Sequence, residues 1–261
     1  MPGKYVTGNK HFSTKFIEYS QRGDIHNKQF LRNLKGSYFL PDTFFETESI
    51  PLKNQDHKKY FVKPYSSDNS KNIKIVLGTN LPSIVPKNHL IQKEIIPQLY
   101  NEKKFDIRVL CCASRSGRLM IYKNLFYRIS SYNYGSDPGS NFTAPIATGN
   151  KESFFEKMRP GEIDSSEYLS QLTHIVPEIY KKLIGSATLG IKSNLDSSFM
   201  VWGLDFIPRQ SDNRLMFLEL NVTPGWYAIY GLKNYQEFYQ FVTDFIYGVD
   251  PRDKDCIYIT L

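Results

Sequence analysis

The stretch VWGLDFIPRQSDNRLMFLELNVTPG, residues 201–225, constrains this chain more than any other part of it. Two apolar runs flank a polar turn at Gln210–Asn213, the pattern of a β-hairpin. With the turn centred near Asp212, Asp205 falls opposite roughly residue 219. Side chains alternate across a strand, so Glu219 and Asn221 share a face, and Asp205 can join them from the partner strand. Two carboxylates and an amide oxygen then converge beside Trp, Leu, Phe and Met. Burying acids there is costly without a cation. An all-oxygen site is hard-cation chemistry, and magnesium with nucleotide phosphates fits it best. The competing reading is that Asp205 and Glu219 pair with nearby Arg or Lys.

Upstream, strand-like runs at Tyr60–Val62 and Ile73–Leu77 flank a polar loop, Tyr65–Asn72. Lys63 ends the first run, where an ammonium and loop N–H groups can surround a phosphate; a strand-end lysine is also commonly just solvated. Gln92 and Lys93 form a polar pair inside the apolar run Ile91–Ile95, where the backbone can face an adenine edge. A long β-rich section follows: Phe105–Ala113, a turn at Arg115–Arg118, and Leu119–Ile129. Within it Lys104, Asp106 and Arg108 point to one side, as a salt-bridge ladder or a site for a charged ligand. Gly and Ser from Ser130 to Ser140 mark a surface loop. Amphipathic spacing predicts helices over Ser165–Leu183, with Pro177 kinking the first, and over Tyr235–Tyr247. Interleaved hairpins and helices make the expected class α+β.

Charge sharpens the partner classes. The net charge is +7, and residues 1–74 hold 13 Lys and Arg against 7 Asp and Glu. Such a basic end suits nucleotide phosphates, an acidic peptide or nucleic acid, or else a solvated face. Three cysteines, two of them adjacent, give neither a disulfide framework nor metal-ligand spacing, so a reducing compartment is expected. The polar start MPGKYVTGNK and the lack of any run of roughly 18 apolar residues predict a soluble, cytoplasmic protein with no membrane partner.

The succession FVKP (61–64), IQKEI (91–95), KFDIR (104–108), GLDF (203–206) and LELNVTPG (218–225), in that order, resembles the tubulin tyrosine ligase family. HNKQFLRNL (26–34) also resembles the family segment bearing its first nucleotide lysine. The resemblance implies an ATP-grasp fold over 1–261 as one compact region. Its N-terminal and central lobe would take about 1–90, and 91–261 would form the C-terminal lobe with the metal site.

By the same resemblance, Lys28 and Lys63 would contact phosphates. Gln92, Lys93 and Ile95 would line the adenine pocket, and Lys104 and Asp106 would contact the ribose and nearby groups. Asp205, Glu219 and Asn221 would hold magnesium. Arg108 and Arg128 would bind the acceptor carboxylate or its acyl phosphate, a task suited to a planar guanidinium. Thr143 of Asn141-Phe142-Thr143-Ala144 would lie near the acceptor. The implied cofactors are ATP and Mg2+. The implied partners are an amino acid and a peptide or protein carboxylate, including an acidic tail. The glycine-free stretch 65–72 motivates a second reading, a degenerate ATP-grasp protein that binds without turnover. The basic charge motivates a third, a nucleic-acid-binding module, although no nucleic-acid motif stands out.

Overall fold

Short runs of β-branched and aromatic residues build two antiparallel sheets in the computed structural model, which describes residues 28–51, 56–66, 72–114, 118–123, 125–136, 165–184, 199–221 and 256–260. The smaller sheet contains β1 (Thr43–Phe45), β2 (Lys59–Pro64), β3 (Lys74–Leu77) and β4 (His89–Lys93), in the order β1-β4-β2-β3. Tyr60 and Ile91 pack with Ile50, Leu81 and Val85 in a small core. A 3-10 helix over Lys28–Leu34 precedes this sheet and buries Leu31 and Leu34 in the larger core.

The larger sheet begins with β5 (Leu99–Tyr100) and the long β6 (Lys103–Ser114). Asn101 and Glu102 both take left-handed φ, 48° and 62°, as a tight two-residue hairpin turn requires. Then come β7 (Arg118–Tyr122), β8 (Phe126–Asn133), the helix α1 (Ser166–Ile184), β9 (Phe199–Pro208), β10 (Leu215–Asn221) and β11 (Cys256–Thr260). The strands run β10-β9-β6-β7-β11, with β5 and β8 also paired to β6. Arg108 faces Phe126 of β8 and Asp205 of β9, so these neighbours occupy opposite edges of β6. Cys111 likewise faces Ile121 of β7 and Trp202 of β9, which puts β7 and β8 end to end on one edge.

Alternation then separates two faces. Phe105, Ile107, Val109 and Cys111 of β6 join Trp202, Leu204 and Phe206 of β9 in one core with Leu172, Ile175, Val176 and Ile179 of α1. Lys104, Asp106 and Arg108 are left for the opposite face. The α1 segment continues through Pro177, whose missing N–H leaves the Thr173 carbonyl without its helical donor.

The architecture is α+β, as expected. Three sequence expectations change. The run Leu119–Ile129 is two strands, because β7 and β8 pair with successive parts of β6. Ser130–Asn133 extends β8 rather than opening a loop, since β6 still offers it an edge at Lys103. The apolar run at 91–95 is strand only to Lys93. The helix expected at Tyr235–Tyr247 lies outside the described residues. Cys111, Cys112 and Cys256 are free thiols, and burial pushes the first two well above the ordinary thiol range. No described helix is long and apolar enough to cross a membrane.

Candidate active site

Two faces meet around the Phe61 ring. On the smaller sheet Phe61 is the register partner of Gln92, and Lys63 follows two positions on, so all three share a face. Lys63 Nζ lies 5.6 Å from the Phe61 ring centroid, and Lys104 Nζ approaches the same ring from the larger sheet at 5.7 Å. Lys63 donates to Gln92 Oε1 at 2.6 Å, and Gln92 Nε2 donates to Thr43 Oγ1 at 3.1 Å. At the head of the 3-10 helix, the Lys28 backbone N–H donates to the Tyr65 carbonyl, and its Nζ lies 3.9 Å from Glu219 Oε2.

The larger sheet contributes a charged row across four strands. Arg128 of β8 faces Asp106 of β6, Arg108 of β6 faces Asp205 of β9, and Asp205 faces Glu219 of β10. Arg128 donates to both Asp106 oxygens at 2.6 and 2.7 Å. Arg108 donates to both Asp205 oxygens at 2.8 Å. Arg128 also reaches Asp205 Oδ2 at 2.9 Å, and Asn221 Nδ2 donates to that oxygen at 3.0 Å. The side chain of Asp205 is 1% exposed.

A β-bulge aims the acid on β10. Phe217 faces Phe206 and Glu219 faces Asp205, so Leu218 is an extra residue between them. Unbroken alternation would turn Glu219 to the same side as Leu215 and Phe217, which are buried in the core with α1. The added residue instead puts Glu219 and Asn221 on the face of Asp205. Leu215↔Pro208 and Met216↔Ile207 centre the turn between Ser211 and Asp212. The bulge restores the half-step, so the expected Asp205–Glu219 pairing is met.

Electrostatics shifts these groups in different directions. Burial alone would raise the Asp205 carboxyl, but the charges and hydrogen bonds of Arg108 and Arg128 outweigh it and hold it well below the usual range. Glu219 moves the opposite way: desolvation first, then repulsion from Asp205, raise it despite Lys28, Arg128 and Lys63. Lys63 and Lys104 are each lowered to about 8, mainly by desolvation. For Lys63 the charges of Lys28 and Lys104 add to the lowering while Glu219 opposes it. For Lys104 the carboxylates of Asp106 and Glu94 oppose the lowering and Lys59 adds to it.

The structure brings Lys28, Lys63, Gln92, Lys104, Asp106, Arg108, Arg128, Asp205, Glu219 and Asn221 to this junction. Of the alternatives left by the alternating charges of β6, the salt-bridge ladder is met by Asp106 and Arg108, while Lys104 faces the Phe61 ring. Lys93 and Ile95 instead line a neighbouring groove of about 1210 Å³ with Asp42, Lys59, Arg209 and Met216, and Lys93 Nζ is 4.0 Å from Asp42. Gln92 is 2% exposed and does not line that groove. Thr143 lies outside the described residues. Sequence reading passed over Thr43, because a threonine in a short strand carries no distinguishing pattern.

Asp205, Glu219 and Asn221 share one face, and their two carboxylates and amide oxygen are the donors that a hard cation takes. Among the described residues no three His, Cys, Asp or Glu form a metal cluster, so the amide of Asn221 must complete the set. The residues fit a hard cation that shares Asp205 with its arginines.

A family model described as the tubulin-tyrosine ligase family matches residues 1–144, more than half of the chain. That span holds every site residue named above from Lys28 to Arg128. The hairpin bearing Asp205, Glu219 and Asn221 lies beyond it. No curated protein matches the chain.

Proposed function

The chain belongs to the tubulin-tyrosine ligase family, and from that premise we propose that it is an ATP-dependent ligase joining an amino acid to a peptide or protein carboxylate. One observation carries the reading: Lys28 and Lys63 converge on Glu219, and Lys63 and Lys104 approach the same Phe61 ring, so three ammonium groups gather where the two sheets meet. Ammonium groups gathered at such a junction make a receptor for a polyanion, and a nucleotide triphosphate fits it.

In this reading Lys28 and Lys63 hold phosphate oxygens, and Lys104 and Asp106 lie toward the ribose. The strand leading to Lys93 and Ile95 approaches the adenine. Asp205, Glu219 and Asn221 hold the magnesium, which supplies charge neutralisation at the phosphates. The γ-phosphoryl group passes from ATP to the acceptor carboxylate, forming an acyl phosphate and ADP. The amine then attacks the acyl carbon, forming the amide and releasing phosphate. The chain's own task is positioning: two lysines fix the triphosphate, and Arg108 and Arg128 stand beside the metal set, where a carboxylate must arrive. Thr143 belongs to the acceptor side by the family resemblance.

A second reading has its own support. Both Asp205 oxygens are already taken by Arg108, Arg128 and Asn221. A protein that binds nucleotide or an acidic peptide without turnover would keep that clamp closed. Phosphate release from Mg-ATP in the presence of amino acids and glutamate-rich peptides separates the two readings. The ligase reading expects release that needs both co-substrates and is lost in Glu219→Gln. Nucleotide binding with no release across the panel would favour the second.

A further inference from the structure

Thr43 has one hydroxyl proton, and the structure shows where it goes. Thr43 Oγ1 donates to the Pro41 carbonyl at 2.6 Å, a buried bond. The hydroxyl can then only accept from Gln92. Of the two ends of the Gln92 amide, the NH2 must face Thr43 at 3.1 Å, which leaves Oε1 to face Lys63 at 2.6 Å. The reverse orientation would set a carbonyl oxygen against a hydroxyl with no proton to give. It would also set an NH2 against an ammonium, which has no lone pair. Thr43 and Gln92 are 7% and 2% exposed, so water does not readily replace either bond.

We infer that Thr43 is a positioning residue for Lys63: by spending its proton on Pro41 it fixes the Gln92 amide so that a neutral oxygen holds the buried ammonium in place. The choice of acceptor matters. A carboxylate at position 92 would neutralise Lys63 and compete with an anionic ligand, whereas an amide oxygen orients the ammonium and leaves its charge available. Gln92 thereby acts through its side chain on the phosphate-facing lysine, while its strand is paired on both edges, to β1 and β2. Phe61 supports the same geometry, since its ring lies under Lys63 and faces Gln92 across the strands. As a role in nucleotide binding, this inference rests on the proposed function; the hydrogen-bond relay itself does not.

The test compares the full-length protein with Thr43→Val, which removes the hydroxyl at nearly constant shape, and Thr43→Ser, which keeps it. Mg-ATP and adenosine are the probes. Thr43→Val should weaken Mg-ATP binding about tenfold, the effect of losing one hydrogen bond to a charged group, while adenosine affinity stays within about twofold. Thr43→Ser should restore Mg-ATP binding. In a Lys63→Met background, Thr43→Val should have no further effect, because its target is gone. Equal weakening of ATP and adenosine, or full additivity with Lys63→Met, would overturn the inference. If the wild-type chain binds no ATP, the ligase reading fails, and hydrogen exchange of the Gln92 side-chain amide decides the relay alone. Slow exchange in wild type and Thr43→Ser but not Thr43→Val upholds it; fast exchange in all three refutes it.

Discussion

Asp205 and Glu219 are register partners of the same charge, yet their environments drive them apart. Asp205 is bound by two guanidinium groups, so Asp205→Asn should destabilise the protein by about 3 kcal/mol, as when one partner leaves a buried ion pair. Urea unfolding would measure it. Glu219 lacks that compensation, and its raised pKa means that the ionised form is disfavoured in the folded state. Stability drawn from this group therefore falls as pH rises above its unfolded value, where the folded state holds the extra proton. Glu219→Gln should leave ligand-free stability at pH 7 unchanged or higher, in contrast to Asp205→Asn. A loss as large as that of Asp205→Asn would contradict the assignment of Glu219 as the under-compensated ligand.

The two lowered lysines give a second test at the same scale. Lys63 and Lys104 titrate near 8 when folded and nearer 10.5 when unfolded. Between those values the unfolded chain binds more protons, so this part of the stability rises with pH from about 8. The proposed site holds Mg-ATP with both lysines charged, so its affinity should fall over the same range. The difference in pH dependence between wild type and Lys63→Met/Lys104→Met isolates these residues from other groups that titrate in base. A Mg-ATP affinity that is flat from pH 7 to 9 would remove them from the nucleotide site.

Among the elements, the hairpin was legible because its acids interrupt apolar strands that a short turn must place side by side. The bulge at Leu218 was not, since one added leucine in LMFLELN leaves the apolar character of the strand unaltered. Counting from a turn at Asp212 reached the right pair because the bulge made up the half-residue by which the true turn differs. The split of 119–129 into β7 and β8 was also hidden, because it depends on how two strands share one edge of β6 rather than on local pattern. The 3-10 helix that presents Lys28 is set by tertiary burial of Leu31 and Leu34, not by propensity. For α1, the spacing of Leu169, Leu172, Val176, Ile179 and Leu183 pointed to one apolar face, of which Leu172, Val176 and Ile179 are buried and Leu169 is half-buried. Leu172→Ala should cost about 2–5 kcal/mol by chemical denaturation, the range for emptying a packed core position. A cost below 1 kcal/mol would mean that α1 does not seal the face of the sheet opposite the charged row.

At the scale of the molecule, the ordered motifs and the fold class could be read from sequence, but the balance of the site could not. That three lysines gather around Phe61 and Glu219 depends on the distance between two sheets, which no spacing of residues encodes. Cys111 and Cys112 illustrate the same limit from the other side: adjacent in sequence, they are buried in β6 as ordinary core thiols. The central claim is that the two sheets meet to hold Mg-ATP, with Lys28 and Lys63 at the triphosphate, Lys104 toward the ribose and the Asp205–Glu219–Asn221 set at the magnesium. The most direct measurement is thermal unfolding with a non-hydrolysable ATP analogue, with and without magnesium. At about 100 times its dissociation constant the analogue should stabilise the protein by roughly 2.7 kcal/mol, a shift of several degrees. The rise should require magnesium and vanish in Lys63→Met and in Glu219→Gln. An unchanged midpoint at millimolar analogue and magnesium, or a rise indifferent to both substitutions, would contradict the account.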